Sequence, residues 1–225
     1  MRKWGVIVTL FYAAVLLLLI FPACMVFSYS GVKGASVSDI RNLLKDFYTL
    51  WFTWAWAGTL IVGEALLLLV SVDASHRRLR PRTNIVVSIA VGGALLGLLS
   101  FAATASVAAA VRGDHFDQWG WILFVGGLLA PWLVWTFVFY RYSKNSNDVP
   151  SRATKWLLRG SVLELLIAVP SHVIVRRRHE CCAPAVTGWG IATGIAVMLL
   201  SFGPSVLFLY KKRMQSLRGK TAAAG

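Results

Sequence analysis

Six long apolar stretches decide what this chain can fold into. They cover residues 5–28, 48–72, 84–111, 119–140, 156–175 and 186–210, each near the ~20 residues that a helix needs to cross hydrocarbon. Four of the six contain no Asp, Glu, Lys or Arg. Backbone polar groups find no partners in lipid, so runs of this kind fold as helices that satisfy themselves. The expected fold class is all-α: a polytopic membrane protein with six transmembrane helices in one domain, residues 1–210, followed by a basic cytoplasmic tail, 211–225. A soluble globular fold is excluded, because 57% of the residues are hydrophobic and only 14% charged, too few to cover a water-facing surface.

The net charge of +14 is explained by its distribution. With the N-terminus in the cytoplasm, that side collects Arg2 and Lys3, the arginines of the 77–82 loop, Arg141, Lys144, Arg152, Lys155, Arg159 and the basic residues of the tail. The opposite side holds Lys33, Arg41, Lys45, Arg112 and Arg176 to Arg178. The cytoplasmic set is much the larger, so the positive-inside rule places both termini in the cytoplasm. The expected surroundings are a lipid bilayer, as a plasma or bacterial inner membrane. No RNP-like or zinc-finger pattern is present, so no nucleic-acid partner is expected. The "MRK…FPAC" start resembles a cleavable signal, but its apolar run continues through Met25, Val26 and Phe27. That exceeds an h-region of ~7–15 residues, and a retained first helix is expected.

Tryptophans mark the helix ends: Trp51, Trp54, Trp119, Trp121 and Trp189 at the outer interface, Trp4 and Trp156 at the inner one. Indoles favour that boundary because the ring is apolar and its N–H seeks water. Between the first two spans, "SVSDIRNLLKDF" carries Ile40, Leu43, Leu44 and Phe47 at helical spacing, with Ser36 and Ser38 as N-cap candidates. A short amphipathic helix on the outer surface follows.

The two halves share short words. "GGALLGLLSF" ends at Phe101 and "GIAVMLLSF" at Phe202, while Gly58, Glu64 and Arg77 are matched by Gly160, Glu164 and Arg177. Two three-helix halves must point in opposite directions, the 3+3 inverted repeat of many transporters, with sites near the midplane. Gly93/Gly97 and Gly190/Gly194 form small-xxx-small ridges that let helix backbones approach closely.

Of nine Asp and Glu residues, only Glu64 and Glu164 fall within spans, each about 12 Å from its cytoplasmic helix end. An ionised carboxylate at that depth must be paired, hydrated or neutralised by a proton. Two acids at equal depth suit the sharing of a proton or the binding of a cation. Ser161, Ser171 and His172 flank Glu164 on a small, polar face, completing a candidate ion- or proton-binding set. The competing structural account pairs Glu164 with Arg159. Pro170 removes a helix N–H and should kink the fifth span beside Ser171 and His172.

A second constellation gathers at the outer face: Cys24, Cys181 and Cys182 with His115 and His179. In an oxidising compartment Cys24 could bridge to one of the cysteine pair, while reduced thiols beside imidazoles suit Zn or Cu(I). Haem at His172 lacks a partner histidine within a span. Arg176, Arg177 and Arg178 run against the charge bias and are expected to contact lipid phosphates or an anionic ligand. No P-loop, GxSxG, HExxH or paired CxxC motif is present, so no ATPase, serine hydrolase or zinc protease is expected.

The first functional expectation is therefore a small transporter or channel-like protein using Glu64 and Glu164. The alternative is an accessory subunit of a larger complex, with other membrane subunits or a second copy contacting the outer Cys/His/Arg cluster; a thiol-using membrane oxidoreductase ranks third. If the outer cysteines hold metal, purified protein carries Zn or Cu and the C181S/C182S double variant loses it. Unchanged metal content and thiol reactivity in that variant discard the metal and oxidoreductase readings together.

Overall fold

The computed structural model describes residues 2–29, 37–73, 82–113, 120–143, 149–178 and 183–202. Helix α1 (Arg2–Val15) runs through one π-helical turn (Leu16–Ile20) into α2 (Phe21–Tyr29), and together these make the first long apolar rod. The rest are α3 (Val37–Thr49), α4 (Trp51–Asp73), α5 (Arg82–Arg112), α6 (Gly120–Ser143), α7 (Val149–Arg177) and α8 (Ala183–Phe202). No strand occurs among the described residues. Five rods are long and apolar enough to cross a membrane: Gly5–Ser28, Trp51–Leu68, Val86–Arg112, Ala153–Arg177 and Ala183–Phe202.

The π-turn has a covalent cause two residues after it ends. Pro22 has no N–H to donate, and its ring crowds the preceding turn; widening that turn makes room. The Phe21 N–H reaches back to the Leu16 carbonyl instead of to Leu17. The Leu17 carbonyl then has neither Phe21 nor Pro22 as a helical donor. Tyr48, at the end of α3, donates its hydroxyl to that oxygen. Burial pushes the Tyr48 phenol upward from its ordinary range, which favours the protonated, donating form.

Helix α3 shows the expected amphipathic pattern: Ile40, Leu43, Leu44 and Phe47 are half-buried, while Arg41, Asn42, Lys45 and Asp46 are exposed. Ser38 lies inside its first turn, not before it, and Ser36 lies outside the described residues. Its C-terminal end is tied to the start of α4, since Thr53 Oγ1 donates to the Phe47 carbonyl (2.8 Å) and Trp54 Nε1 to that of Tyr48 (2.7 Å). The Phe21 ring packs edge-on against Phe47 and Tyr48 at 6.0 and 5.5 Å. Sequence and packing agree here.

Helix α5 is the axis of the bundle, packing along α6 and α7, and Gly113 (φ 63°) follows its last turn, as glycine often does where a helix stops. A Cβ on Gly97 would stand 3.0 Å from the Trp132 backbone, and one on Gly93 would overlap the Thr136 hydroxyl. The first glycine ridge is thus a backbone contact between α5 and α6, as its spacing predicts. Trp135 Nε1 fastens the same pair by donating to Ser100 Oγ at 3.3 Å.

Two expectations change. The fifth span begins earlier than residue 156: α7 starts at Val149, with Pro150 in the first turn, where its missing N–H costs nothing. Ala153 and Leu157 are buried there. Pro170 lies inside this helix. Trp189 is a core residue at 8% exposure, not an interface anchor; it packs on Phe52 and Phe101 at 5.4 and 5.7 Å.

Replacing Tyr48 with Phe leaves the Leu17 oxygen without its donor. A loss of about 1–3 kcal/mol is expected, read as a lower melting temperature in detergent; an unchanged melt would mean another group serves that carbonyl.

A buried carboxyl notch between α5, α7 and α8

Leu157, Ser161, Glu164, Ala168, His172 and Val175 are all buried and recur every three or four residues along α7. That spacing defines one helix face, so turning Leu157 and Val175 into the bundle turns Glu164 inward with them. Glu164 is only 2% exposed, and neither of its carboxyl oxygens has a hydrogen-bond partner. Arg159, the basic partner considered for it, is exposed and lies over the Trp156 ring at 6.0 Å. The pairing with Arg159 is not formed.

The carboxyl fits because α8 has no side chains in its way. A Cβ on Gly194 would overlap Glu164 Oε2, and one on Gly190 would stand 3.4 Å from Oε1. The same Gly190 Cβ would overlap Ser106 Oγ from α5 and lie 3.5 Å from the Ala102 carbonyl. The second glycine ridge therefore forms a notch for a carboxyl and a hydroxyl.

Ser106 escaped the sequence reading, since a lone serine in an alanine-rich run gives no signal. Its behaviour, shared with Thr136, differs from that of most hydroxyls of these helices. Thr9, Ser28, Thr59, Ser100, Thr193 and Ser201 each donate to the carbonyl four residues back, at 2.7–2.9 Å, the usual way to satisfy a hydroxyl inside a helix. Ser106 is fully buried and its Oγ has no partner.

Glu64 is 1% exposed, and its Oε2 is unpartnered. It lies within electrostatic reach of Tyr12, whose hydroxyl donates to the Ala196 carbonyl at 3.0 Å. Helix α4 also meets α8 at Thr193, which accepts from Trp56 Nε1 at 3.0 Å. Thr193 stands roughly a quarter turn round α8 from the glycine stripe. Since Glu164 accepts no hydrogen bond, the two carboxyls do not share a proton through a direct contact.

Of the other residues expected beside Glu164, Ser161 bonds to the Leu158 carbonyl at 2.9 Å, and Ser171 is buried. His172 Nδ1 meets Thr187 Oγ1 at 2.8 Å, and its Nε2 is buried without a partner. Two of the three arginines have protein partners: Arg178 donates to the Ala110 carbonyl near the end of α5 at 2.7 Å, and Arg176 lies over Phe27 at 5.4 Å. Arg177 is exposed. Cys24 carries a free, half-buried thiol. His115, His179, Cys181 and Cys182 lie outside the described residues, and no group of three metal-ligating side chains occurs within them.

A cavity of about 290 Å³ opens between α4, α5, α6 and α8, lined by Trp51, Trp56, Trp132 and Trp189 with Phe52 and Phe101. Its walls are apolar, and it suits hydrocarbon. Comparison with family profiles, curated proteins and solved structures finds no match to this chain.

The notch generates a stability prediction of unusual sign. Glu164→Met keeps the volume and removes two unpartnered buried oxygens. It is expected to be neutral or stabilising by about 1–3 kcal/mol, seen as an unchanged or higher melting temperature in detergent. A marked loss would instead mean that another protein side chain holds Glu164 by a hydrogen bond or an ion pair.

Proposed function

We propose that the chain is a small transporter or channel-like membrane protein whose buried carboxyls, Glu64 and Glu164, bind a proton or small cation during passage. Helix α6 is the sixth span, completing the five apolar rods, and both termini lie on the cytoplasmic side of a plasma or bacterial inner membrane. The observation that carries this reading is Glu164: a carboxyl inside an apolar bundle, 2% exposed, with both oxygens unpartnered. Acids in membrane spans commonly mark ion or proton pathways. A carboxyl serving only to hold helices together would be tied to a donor on a neighbouring helix, and Glu164 is not.

In the proposed cycle the three-helix halves, α1 to α5 and α6 to α8, rock against each other about the buried acids. Helix α8 is the common element, taking Glu164 in its glycine notch and receiving α1 and α4 through Tyr12 and Trp56. Movement of α7 and α8 relative to α5, which carries Ser106, would open the notch to water from one side.

In sealed proteoliposomes with an internal pH dye, imposed gradients of H⁺, Na⁺ or K⁺ should produce flux. E64Q and E164Q should each lower it by tenfold or more while retaining helical circular dichroism. Wild-type flux in both variants would overturn the proposal.

A further inference from the structure

We infer that Glu164, Ser106 and the Gly190/Gly194 notch form a proton site, in which a neutral carboxyl and the Ser106 hydroxyl are joined by one bridging water. The inference deepens the proposed function and rests on its reading of Glu164 as a proton- or cation-binding group.

Convergence carries the argument. Glu164 Oε1 and Ser106 Oγ both border the point where a Gly190 Cβ would stand, yet they make no hydrogen bond to each other. They come from different helices and are almost completely buried. Groups that share one small space without touching are the partners a bridging water needs. The Ala102 carbonyl borders the same point at 3.5 Å, and its second lone pair supplies a third partner. Ser106 also forgoes the bond to its own helix that comparable hydroxyls make, which leaves its oxygen available to the space beside Glu164.

The composition of the surroundings favours a proton over a metal cation. The notch offers two carboxyl oxygens, one hydroxyl and one carbonyl already engaged in α5, whereas Ca²⁺ and Mg²⁺ take six or more oxygens. Helices α5 and α8 carry no titratable side chain between their ends. On α7 the nearest charged or titratable groups are Arg159, His172 and Arg176, each turned to other partners. Glu64 on α4 and Tyr12 on α1 are the remaining titratable groups near mid-bundle. Among the described residues no fixed positive charge meets the carboxyl, so a proton is the simplest neutraliser. It adds to Glu164 Oε1; the new O–H donates to the bridging water, which donates in turn to Ser106 Oγ and the Ala102 carbonyl. Loss of the proton reverses that step with no other bond broken. Ser106 is a positioning residue, since it holds the water and not the proton.

Infrared spectroscopy of the full chain in lipid vesicles tests this directly, because a protonated carboxyl has its own C=O band. At neutral pH a component of that band should vanish in E164Q, shift in frequency in S106A, and stay unchanged when Na⁺ or K⁺ is added. Helical circular dichroism retained in S106A would show that the shift reports hydrogen bonding and not misfolding. A band unaffected by E164Q overturns the site, as does one unmoved in S106A. A component that disappears on adding Na⁺ or K⁺ at fixed pH assigns the notch to a metal cation instead. The flux assay separates the two proposals. The expected band with undiminished E164Q flux would leave the proton site and remove transport; lost flux without the band would do the reverse.

Discussion

Hydrocarbon offers no water to a polar group that lacks a partner, and that single constraint organises the bundle. Every carbonyl that covalent chemistry frees must be met by the protein. Pro22 shows the chain of consequence most clearly. Its missing N–H leads to the π-turn, which redirects the Phe21 N–H to Leu16 and leaves the Leu17 oxygen to Tyr48. A proline on the first rod thereby pins the amphipathic α3 through Tyr48 at its far end. Arg178 does similar work at the other end of the sequence by serving the Ala110 carbonyl of α5.

Against that economy the exceptions gain meaning. Most buried hydroxyls turn back on their own helix, and two indoles reach a hydroxyl on a neighbouring one. Glu164 and Ser106 do neither, and they are unpartnered at the same place. Other buried polar atoms are also unpartnered, among them Thr136 Oγ1, His172 Nε2 and Trp189 Nε1, but Glu164 and Ser106 border a single glycine. A solitary unpartnered atom is a local cost of packing. Two from different helices meeting at one glycine are the observation on which the proposed proton site rests.

The two glycine pairs show how far spacing alone can be trusted. Gly93/Gly97 and Gly190/Gly194 have the same four-residue spacing, and from sequence both predict close helix packing. The first pair admits the α6 backbone. The second admits a carboxyl and a hydroxyl, because α7 presents Glu164 where α6 presents Thr136 and Trp132. Spacing reveals that a helix has a groove. What enters the groove depends on the neighbour, which lies in another part of the chain.

The amino-acid sequence by itself determined the helical class, the long apolar rods, the amphipathic α3 and the small, polar face of α7 that carries Glu164. Each follows from hydropathy and period, which are properties of one segment at a time. It also pointed to the two acids, because a charge in an apolar run is conspicuous. Only the tertiary structure decided that Arg159 turns away, that Trp189 sits in the core, and that Ser106 shares the space beside Glu164. The physical reason is the same in each case: partnership between side chains depends on which helix faces project together, and local periodicity does not encode the azimuth at which one helix meets another.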